Sequence, residues 1–544
     1  MTQYFIGVDV GTGSARAGVF TENGNLLASA KRPIRIWHEA GSIVEQSSEQ
    51  IWKAVCGSVK EAIASAGITA TSIAGVGFDA TCSLVVVKAD GAPVAVGPCG
   101  DPDRNIIVWM DHRAAGEAAE INSGNHGVLR YVGGSISPEM ETPKLLWLKR
   151  NLPRSFGAAD HFFDLADYLT WRATGSLSRS VCTVTCKWTY LAHEKRWDAA
   201  YFKAVGLEEL AAEGFSRIGT DIVEPGTALA NGLTEAAALD LGLPIGTSVG
   251  AALIDAHAGG VGTLGGDGAD SGSKVQSRLA YVFGTSACSM ASSDNPIFVG
   301  GVWGPYYSAM IPGLWLTEGG QSAAGAAIDH LVTMHPASAE ARAKAEMEGV
   351  SLVAWLDRKA TELSPDLTRA VELARSIHVV PEFLGNRSPH ADPDARAVIA
   401  GIGLEIEIAD LISLYIAGLC GIGYGLRQLL ETLSRDGIEI GTIVASGGAA
   451  QSNLVRQLLA DATNAPVAIA NTDEPVLLGA AMLGAVAAGR YHSLLEAMKA
   501  MSSLSATFSP AGGTIGSLHE RRYRAFELLQ SADREIRRFA AVGG

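Results

Sequence analysis

The chain has 544 residues, of which 47% are hydrophobic and 18% charged, a composition that argues against disorder and predicts two domains. Its 57 acidic and 42 basic side chains give a net charge of −15, which argues against nucleic-acid binding but leaves a local nucleotide site open. Seven scattered cysteines, no basic leader segment and no long apolar run predict a cytoplasmic protein without disulfides, a zinc site or a membrane span.

The first part of the chain reads as strands that end in polar side chains. "YFIGVDV" and "ARAGVFT" predict two strands joined by a Gly-Thr-Gly turn. A helix is expected from about Ser47 to Ala66, with Ser48 as its N-cap. "IAGVGFDATCSLVVV" and "NIIVWMDHR" predict two further strands. This alternation indicates an α/β fold with its site at the strand ends.

An internal echo links the two halves of the chain. "YVFGTSACSMA" in the second half repeats the pattern of "VDVGTGSARAG" in the first, so that Gly284-Thr285-Ser286 corresponds to Gly11-Thr12-Gly13. Two short matches can arise by chance. The alternative is a pair of related domains, each of which starts its sheet with a hairpin that faces phosphate.

The second half carries further helix and strand patterns. "TIVASGGAAQSNLVRQLLADATNAPVAI" predicts a strand, a Gly447-Gly448 turn, a helix from about Gln451 and another strand. "EPVLLGAAMLGAVAAG" predicts a helix of small residues that can pack closely against a neighbour. The C-terminal segment predicts an amphipathic helix that docks on the body through a face that includes Tyr523, Phe526, Ile536 and Phe539.

The turn after Asp9 matches neither common phosphate-binding loop. Its sixth position is Arg16 and a strand follows, whereas a dinucleotide-binding fingerprint needs a third glycine and a helix. A Walker loop needs Gly-Lys-Ser/Thr, which is absent from this segment. The remaining interpretations are a plain β-turn, or a hairpin whose N–H groups surround phosphate oxygens while Asp9 holds Mg²⁺.

Two other segments carry candidate chemistry. Asp255 ends an apolar run, so it is either a helix N-cap or a general base at the mouth of a cleft. His257 is a second candidate base, and a structural role is its alternative. Short polar groups beside an indole suit a polyol, and core packing is the alternative for the indole and the thiol. This polyol set consists of Asp79, Thr81, Cys82, Ser83, Trp109, Asp111 and Arg113.

Together these segments resemble the FGGY family of carbohydrate kinases, in the superfamily of actin, hexokinase and sugar kinases. The resemblance covers nearly the whole chain, and its elements occur in the family's order. They are "DVGTGSARAG", "WMDHRA", "PKLLWLKRN", "DLADYLTWRATG", "IDAHAGG", "FGTSACSM", "GNRSPHADPDAR" and "SGGAAQSN". The resemblance implies an α/β fold of two ribonuclease-H-like domains with an interdomain cleft. We place these domains at 1–260 and 261–510, with a C-terminal helix at 511–544.

Roles follow from the resemblance by position. It implies that Asp255 is the catalytic base and contacts the sugar, and that Asp9 places Mg²⁺. It implies sugar contacts at Thr81, Cys82, Ser83, Trp109 and Asp111. It implies ATP contacts in a first turn, Gly11, Thr12, Gly13 and Ser14, and a second turn, Gly284, Thr285 and Ser286, and at Gly447, Gly448, Gln451 and Asn453.

The sugar is less well defined than the reaction. Glu139 and Glu141 stand where the family usually has other residue types, although Lys144 is kept. Glycerol kinases have an Arg-Glu pair near Thr81-Cys82, which disfavours glycerol. The string "TCSLVV" resembles the D-ribulokinase branch, so D-ribulose comes first, ahead of ribitol, L-ribulose and other ketoses.

The resemblance also leaves rival interpretations and predicts partners. A chaperone-like or filament-forming ATPase, or a non-catalytic binding protein, would share the same superfamily fold. The polyol set and the intact Asp9 and Asp255 favour the enzyme. We expect a sugar and ATP as ligands, a homodimer as the assembly, and neither nucleic acid nor membrane as a partner.

Overall fold

The computed structural model describes residues 3–265 and 274–541, and the first of these ranges contains two sheets of five strands each. Its strands are β1 (Tyr4–Gly11), β2 (Ser14–Thr21), β3 (Leu26–Pro33), β4 (Trp37–Glu39), β5 (Ile43–Gln46), β6 (Ile73–Ala80), β7 (Leu84–Val87), β8 (Ile106–Ile107), β9 (His161–Asp164), β10 (Arg179–Ser180), β11 (Ile222–Val223) and β12 (Ser248–Ile254). Its helices are α1 (Ser48–Ala66), α2 (Ala115–Ser123), α3 (Glu141–Asn151), α4 (Pro153–Ala158), α5 (Leu165–Thr174), α6 (Val181–Lys187), α7 (Ala199–Ala204), α8 (Glu208–Ala212), α9 (Glu235–Leu241) and α10 (Asp255–Leu264).

The second range is built around one sheet of seven strands. Its strands are β13 (Arg278–Phe283), β14 (Ala287–Ser293), β15 (Trp303–Tyr307), β16 (Trp315–Gln321), β17 (His378–Val380), β18 (Val398–Ala400), β19 (Thr442–Ser446), β20 (Val467–Ala470) and β21 (Leu504–Phe508). Its helices are α11 (Gly325–Met334), α12 (Ser338–Met347), α13 (Leu352–Leu363), α14 (Ile408–Arg435), α15 (Asn453–Thr463), α16 (Pro475–Ala487), α17 (Leu494–Met501) and α18 (Gly513–Ala541).

The two central sheets share one topology. The first has the order β12-β6-β1-β2-β3, and the second contains β20-β19-β13-β14-β16 with β21 and β15 added at its edges. In each, three antiparallel strands are followed by two strands parallel to the first one. The β1–β2 hairpin therefore corresponds to the β13–β14 hairpin. The sequence pattern that recurs in the two halves therefore reflects two related domains. The predicted fold class is confirmed.

Helices α10 and α16 join the domains. Helix α16 follows a strand of the second sheet but packs on β1 and β6 of the first, and α10 follows β12 but also contacts β13. The two helices touch closely, because a Cβ on Gly479 would lie 2.0 Å from the carbonyl oxygen of Ala258. The expected small-residue packing of α16 is confirmed. The domain boundary at residue 260 remains a prediction, and it falls inside α10.

Three local features refine the sequence-based expectations. The N-cap of α1 is Ser47, whose hydroxyl accepts from the N–H of Gln50, so the expected N-cap Ser48 is wrong by one residue. Helix α18 buries Tyr523 and Phe526 against the second domain. Its last turns do not dock as expected, because Ile536 and Phe539 are exposed.

Helix α14 is long and apolar enough, by length and composition, to cross a bilayer. However, 78% of its most apolar window is buried inside the protein, where it contacts α11 and α15. A core helix of a folded domain passes the same test of length and composition, so this helix is weak evidence for a span.

Candidate active site

Three carboxyl groups meet at the carboxyl ends of neighbouring parallel strands. Asp9 on β1 is in register with Asp79 on β6, and Asp255 directly follows β12, which pairs with β6. Asp9 and Asp79 are buried, whereas Asp255 is half-buried. The edge of the sheet thus concentrates negative charge at the position where α/β folds place their ligands.

Asp255 has the properties of a general base. Burial, together with the neighbouring Asp9 carboxylate, raises the pKa of Asp255 to about 6. Its Oδ1 accepts a hydrogen bond of 2.7 Å from the N–H of Ala256, within its own helix. Asp255 is the first residue of α10, and the N-cap position belongs to Ile254. A carboxylate with a pKa near neutrality can both accept and release a proton.

Asp9 is held by a guanidinium. The Nε of Arg16 donates to Oδ2 of Asp9 at 2.7 Å, and its Nη2 also contacts Oδ2. The Nη1 of the same arginine donates to Glu474 at 2.7 Å, at the start of α16. This chain of contacts connects the β1–β2 hairpin to the helix that joins the domains.

The first turn is linked to the predicted sugar-binding segment. Gly11 and Ser14 close the hairpin around Thr12 and Gly13. The hydroxyl of Thr12 accepts a 2.9 Å hydrogen bond from the indole N–H of Trp109, and its carbonyl accepts from Gln46 at 2.7 Å. A displacement of the turn would therefore disturb the hydrogen bond between Thr12 and Trp109.

Several members of the polyol set already have hydrogen-bond partners within the protein. The hydroxyls of Thr81 and Ser83 lie 3.1 Å apart, and the hydroxyl of Ser83 accepts a hydrogen bond from the backbone N–H of Trp109. Burial raises the pKa of the Cys82 thiol to about 12, so it is not a reactive thiolate. Asp111 is buried with both oxygens occupied by Arg113 and the N–H of Val44, an arrangement that stabilises the loop.

The second turn is fixed by α11. The carbonyls of Gly284 and Thr285 accept hydrogen bonds from N–H groups at the start of this helix, at Gly325, Ala324 and Ala326. The N–H of Gly284 also donates to the carbonyl of Ser286. The turn is therefore pre-organised in the position that corresponds to the first one.

A cavity of approximately 630 Å³ lies beside the second turn, a size that suits a nucleoside. Gly448 and Gln451 line it, together with Phe283. Gly447 precedes them with φ of +91°, and a Cβ there would lie 2.5 Å from the carbonyl oxygen of Phe283. Asn453 is exposed, accepts from Arg456 and is not among the lining residues.

Sequence reasoning missed a charged network between the domains. His257 lies 3.1 Å from the sulphur of Cys182 and 3.4 Å from Oε2 of Glu318 on β16. Arg387 donates to Oε1 of the same glutamate at 3.0 Å. The ammonium group of Lys187 lies 5.4 Å from the centre of the Trp303 ring. Its positive charge lowers the pKa of both Asp255 and Glu318.

The charges of this network support one another. Burial disfavours a charged imidazole, but the sulphur of Cys182 and the Glu318 carboxylate outweigh it and raise the pKa of His257. Burial likewise opposes ionisation of Glu318, yet His257 and Arg387 hold its pKa below the ordinary value. One signal in the sequence was available, because Glu318 is a charge inside the otherwise uncharged strand "WLTEGGQ".

The two glutamates that depart from the family pattern lie in this region. Glu141 is fully buried and forms a 3.3 Å ion pair with Lys144. Burial raises the pKa of Glu141 to about 7, although Lys144 opposes this shift. Glu139 is closer to the surface and lies 3.4 Å from His112. Both glutamates interact electrostatically with Lys187.

The residues present fit Mg²⁺. Within residues 3–265 and 274–541, no group of three or more His, Cys, Asp or Glu side chains could hold a metal alone. Mg²⁺ requires less from the protein, because it uses one or two carboxylates together with phosphate oxygens and water. Asp9 supplies one carboxylate, and neither oxygen of the neighbouring Asp79 has a hydrogen-bond partner among the described residues.

The fold and the site define a two-domain small-molecule kinase. The models of the FGGY family of carbohydrate kinases match residues 4–262 with the N-terminal domain and residues 279–488 with the C-terminal domain. The chain belongs to this family. It is a sugar kinase, and sugar kinases of this family use ATP. The expectation of an enzyme, rather than a chaperone-like or non-catalytic protein, is confirmed.

Individual relatives agree with this assignment. An FGGY carbohydrate kinase domain-containing protein of Homo sapiens is 45% identical over 543 residues, which cover 98% of this chain and 97% of the relative. A D-ribulokinase of Saccharomyces cerevisiae is 40% identical over 516 residues, covering 89% and 72%. The structure of xylulose kinase from Rhodospirillum rubrum superposes with a TM-score of 0.81 at 21% identity, covering 98% and 99%, and this likeness supports the fold.

Proposed function

We propose that this sugar kinase transfers the γ-phosphoryl group of ATP to a terminal hydroxyl of a pentulose, with D-ribulose as the first candidate and O5 as the acceptor. The observation that carries the proposal is Asp255, a half-buried carboxylate with a pKa near 6 between the polyol set and the charged network. The name of the yeast relative at 40% identity favours D-ribulose over ribitol, L-ribulose and other ketoses.

In this proposal the chain's own groups bind, orient and accept a proton. Asp255 takes the proton of the acceptor hydroxyl as that hydroxyl attacks phosphorus. Lys187, and Glu318 held by His257 and Arg387, offer donors and an acceptor that can orient the remaining hydroxyls. Closure of the domains excludes water, which would otherwise compete as acceptor.

The adenosine of the nucleotide is assigned to the second domain, and its phosphates to the turns of both domains. The two Gly-Thr turns provide backbone N–H groups for phosphate oxygens, and the cavity lined by Gly448 and Gln451 takes the adenosine. Mg²⁺, held by Asp9, would neutralise charge on the phosphoryl oxygens when bound. The homodimer and the cytoplasmic location remain predictions from the sequence.

An assay of ADP release with coupled enzymes tests the substrate. Ketoses and polyols of three to seven carbons are compared by kcat/KM, with ATP hydrolysis in the absence of sugar as the baseline. We expect D-ribulose to rank first and glycerol to remain near the baseline. A different best substrate would refute D-ribulose while leaving the sugar kinase intact, and no stimulation by any of these compounds would contradict the wider proposal.

A further inference from the structure

Asp79 belongs to the polyol set and lies beside Asp9 at the centre of the site, but the proposed proton transfer does not account for its side chain. Its side chain is 0% exposed, and neither carboxylate oxygen receives a hydrogen bond from any described residue. Buried polar atoms are almost always paired, because an unpaired one costs free energy. Two such atoms on one side chain therefore indicate either a bound cation or a proton shared with Asp9, since burial and the contact with Asp9 raise the pKa of Asp79.

The neighbours of Asp79 lack enough positive charge to balance it. Asp9 lies beside it on the next strand, and both Asp9 and Asp255 act on it electrostatically. Arg16 is the nearby cation, but its contacts go to Oδ2 of Asp9 and to Glu474. Lys187 and His257 act on Asp255, so Arg16 is the cation that acts on the Asp9–Asp79 pair. A divalent cation would both balance this charge and satisfy the unpaired oxygens.

We propose that Asp79 is the second carboxylate of the Mg²⁺ site, so that one ion is held between Asp9 and Asp79. The inference rests on the proposed function, since phosphate oxygens of the nucleotide complete the coordination. Mg²⁺ keeps several of its waters, and these can donate to whichever oxygen of Asp79 the ion does not touch. The competing explanation is a single proton shared between the two carboxyl groups.

Substitution of Asp79 by Asn distinguishes these explanations. An amide can donate to Asp9 as a protonated carboxyl would, but it cannot supply the charge of a carboxylate to a metal ion. The measurement is Mn²⁺ binding in the presence of ADP, followed by the EPR signal of free Mn²⁺. We expect Asp79→Asn to weaken Mn²⁺ binding by about 10–100-fold. Unchanged Mn²⁺ affinity would overturn the inference.

Asp461→Asn is the matched control. Asp461 is also buried with one unpaired oxygen, but it lies in α15 and is bonded to Gln457 and Ala511. This variant should bind Mn²⁺ and ADP as the wild type does. If the wild type itself binds no ADP, the proposed function fails. If the wild type binds both ligands and Asp79→Asn binds them equally, only the present inference fails.

A structure-based measurement covers the case in which Asp79→Asn does not fold. Wild-type crystals grown with ADP and Mn²⁺ are examined for the anomalous scattering of manganese. We expect the ion within about 5 Å of a carboxylate oxygen of Asp79, the reach of a metal-bound water. An ion that contacts Asp9 but lies farther from Asp79 would overturn the inference.

Discussion

Replacement of Asp255 by Asn removes the group to which the catalytic proton is assigned. The variant keeps the size of the side chain, and its amide oxygen can still accept from the N–H of Ala256. We therefore expect folding and the binding of sugar and ATP to be preserved. Loss of a general base typically reduces turnover about 10²–10⁴-fold.

The pKa of Asp255 sets the expected pH dependence. With a pKa of about 6, a carboxyl group is about 90% ionised at pH 7 and about 10% ionised at pH 5. Since only the ionised form accepts a proton, kcat/KM of the wild type should fall roughly tenfold between these values. The residual activity of Asp255→Asn should lack this step.

The assay is steady-state ADP release with D-ribulose from pH 5 to 8. Asp461→Asn serves as a control, because burial also raises the pKa of Asp461 to about 6 but this residue lies away from the strand ends. It should retain the acidic limb of the wild type. Turnover of Asp255→Asn within threefold of the wild type, or the same acidic limb in that variant, would refute the assignment.

Three further predictions concern other parts of the structure. Gly447→Ala places a Cβ on a backbone with positive φ and against a carbonyl oxygen, at a cost of about 1–3 kcal/mol, so Tm should fall by several degrees. Gly448→Ala is the control, because its Cβ would meet nothing within 4 Å and its Tm should stay near that of the wild type. An equal Tm for both variants would contradict the steric argument. Glu318→Gln removes the carboxylate charge that both His257 and Arg387 contact, so KM for the pentulose should rise at least about tenfold. The affinity for ADP should not change. An unchanged KM would show that Glu318 is not part of the sugar site. Burial lowers the pKa of His519 to about 3, so only the unfolded chain takes up this proton below pH 6.5, and stability should fall by about 2 kcal/mol at pH 5. Thermal unfolding at pH 7 and pH 5 should show a smaller loss for His519→Gln, and equal losses would contradict this sign.

The features that could be predicted from sequence are mainly local. The two hairpins follow from runs of strand-forming residues broken by glycine turns, and the match between their turns predicted the related domains before any packing was known. Errors occurred where neighbouring residues were chemically equivalent. Ser47 and Ser48 are both good N-caps, and only the backbone conformation selects Ser47.

The charge of Glu318 within an uncharged strand is visible in the sequence, but its partners could not be predicted because only tertiary packing brings them together. Lys187 ends a helix, Glu318 lies within a strand and Arg387 belongs to a loop, and long stretches of chain separate them. The same holds for the contact of α16 with the first sheet, since the helix follows a strand of the second. The exposure of Phe539 has a similar origin, because a helical period does not reveal where the supporting surface ends.

The position of the phosphate on the product shows whether the enzyme phosphorylates D-ribulose at O5, as we propose. D-ribulose and ATP are incubated with the enzyme, and the phosphorylated sugar is analysed by ³¹P NMR with ¹H coupling. We expect a single new monoester coupled to the two protons of C5, formed by the wild type and strongly reduced with Asp255→Asn. A phosphate on another carbon, or only inorganic phosphate from ATP, would contradict it.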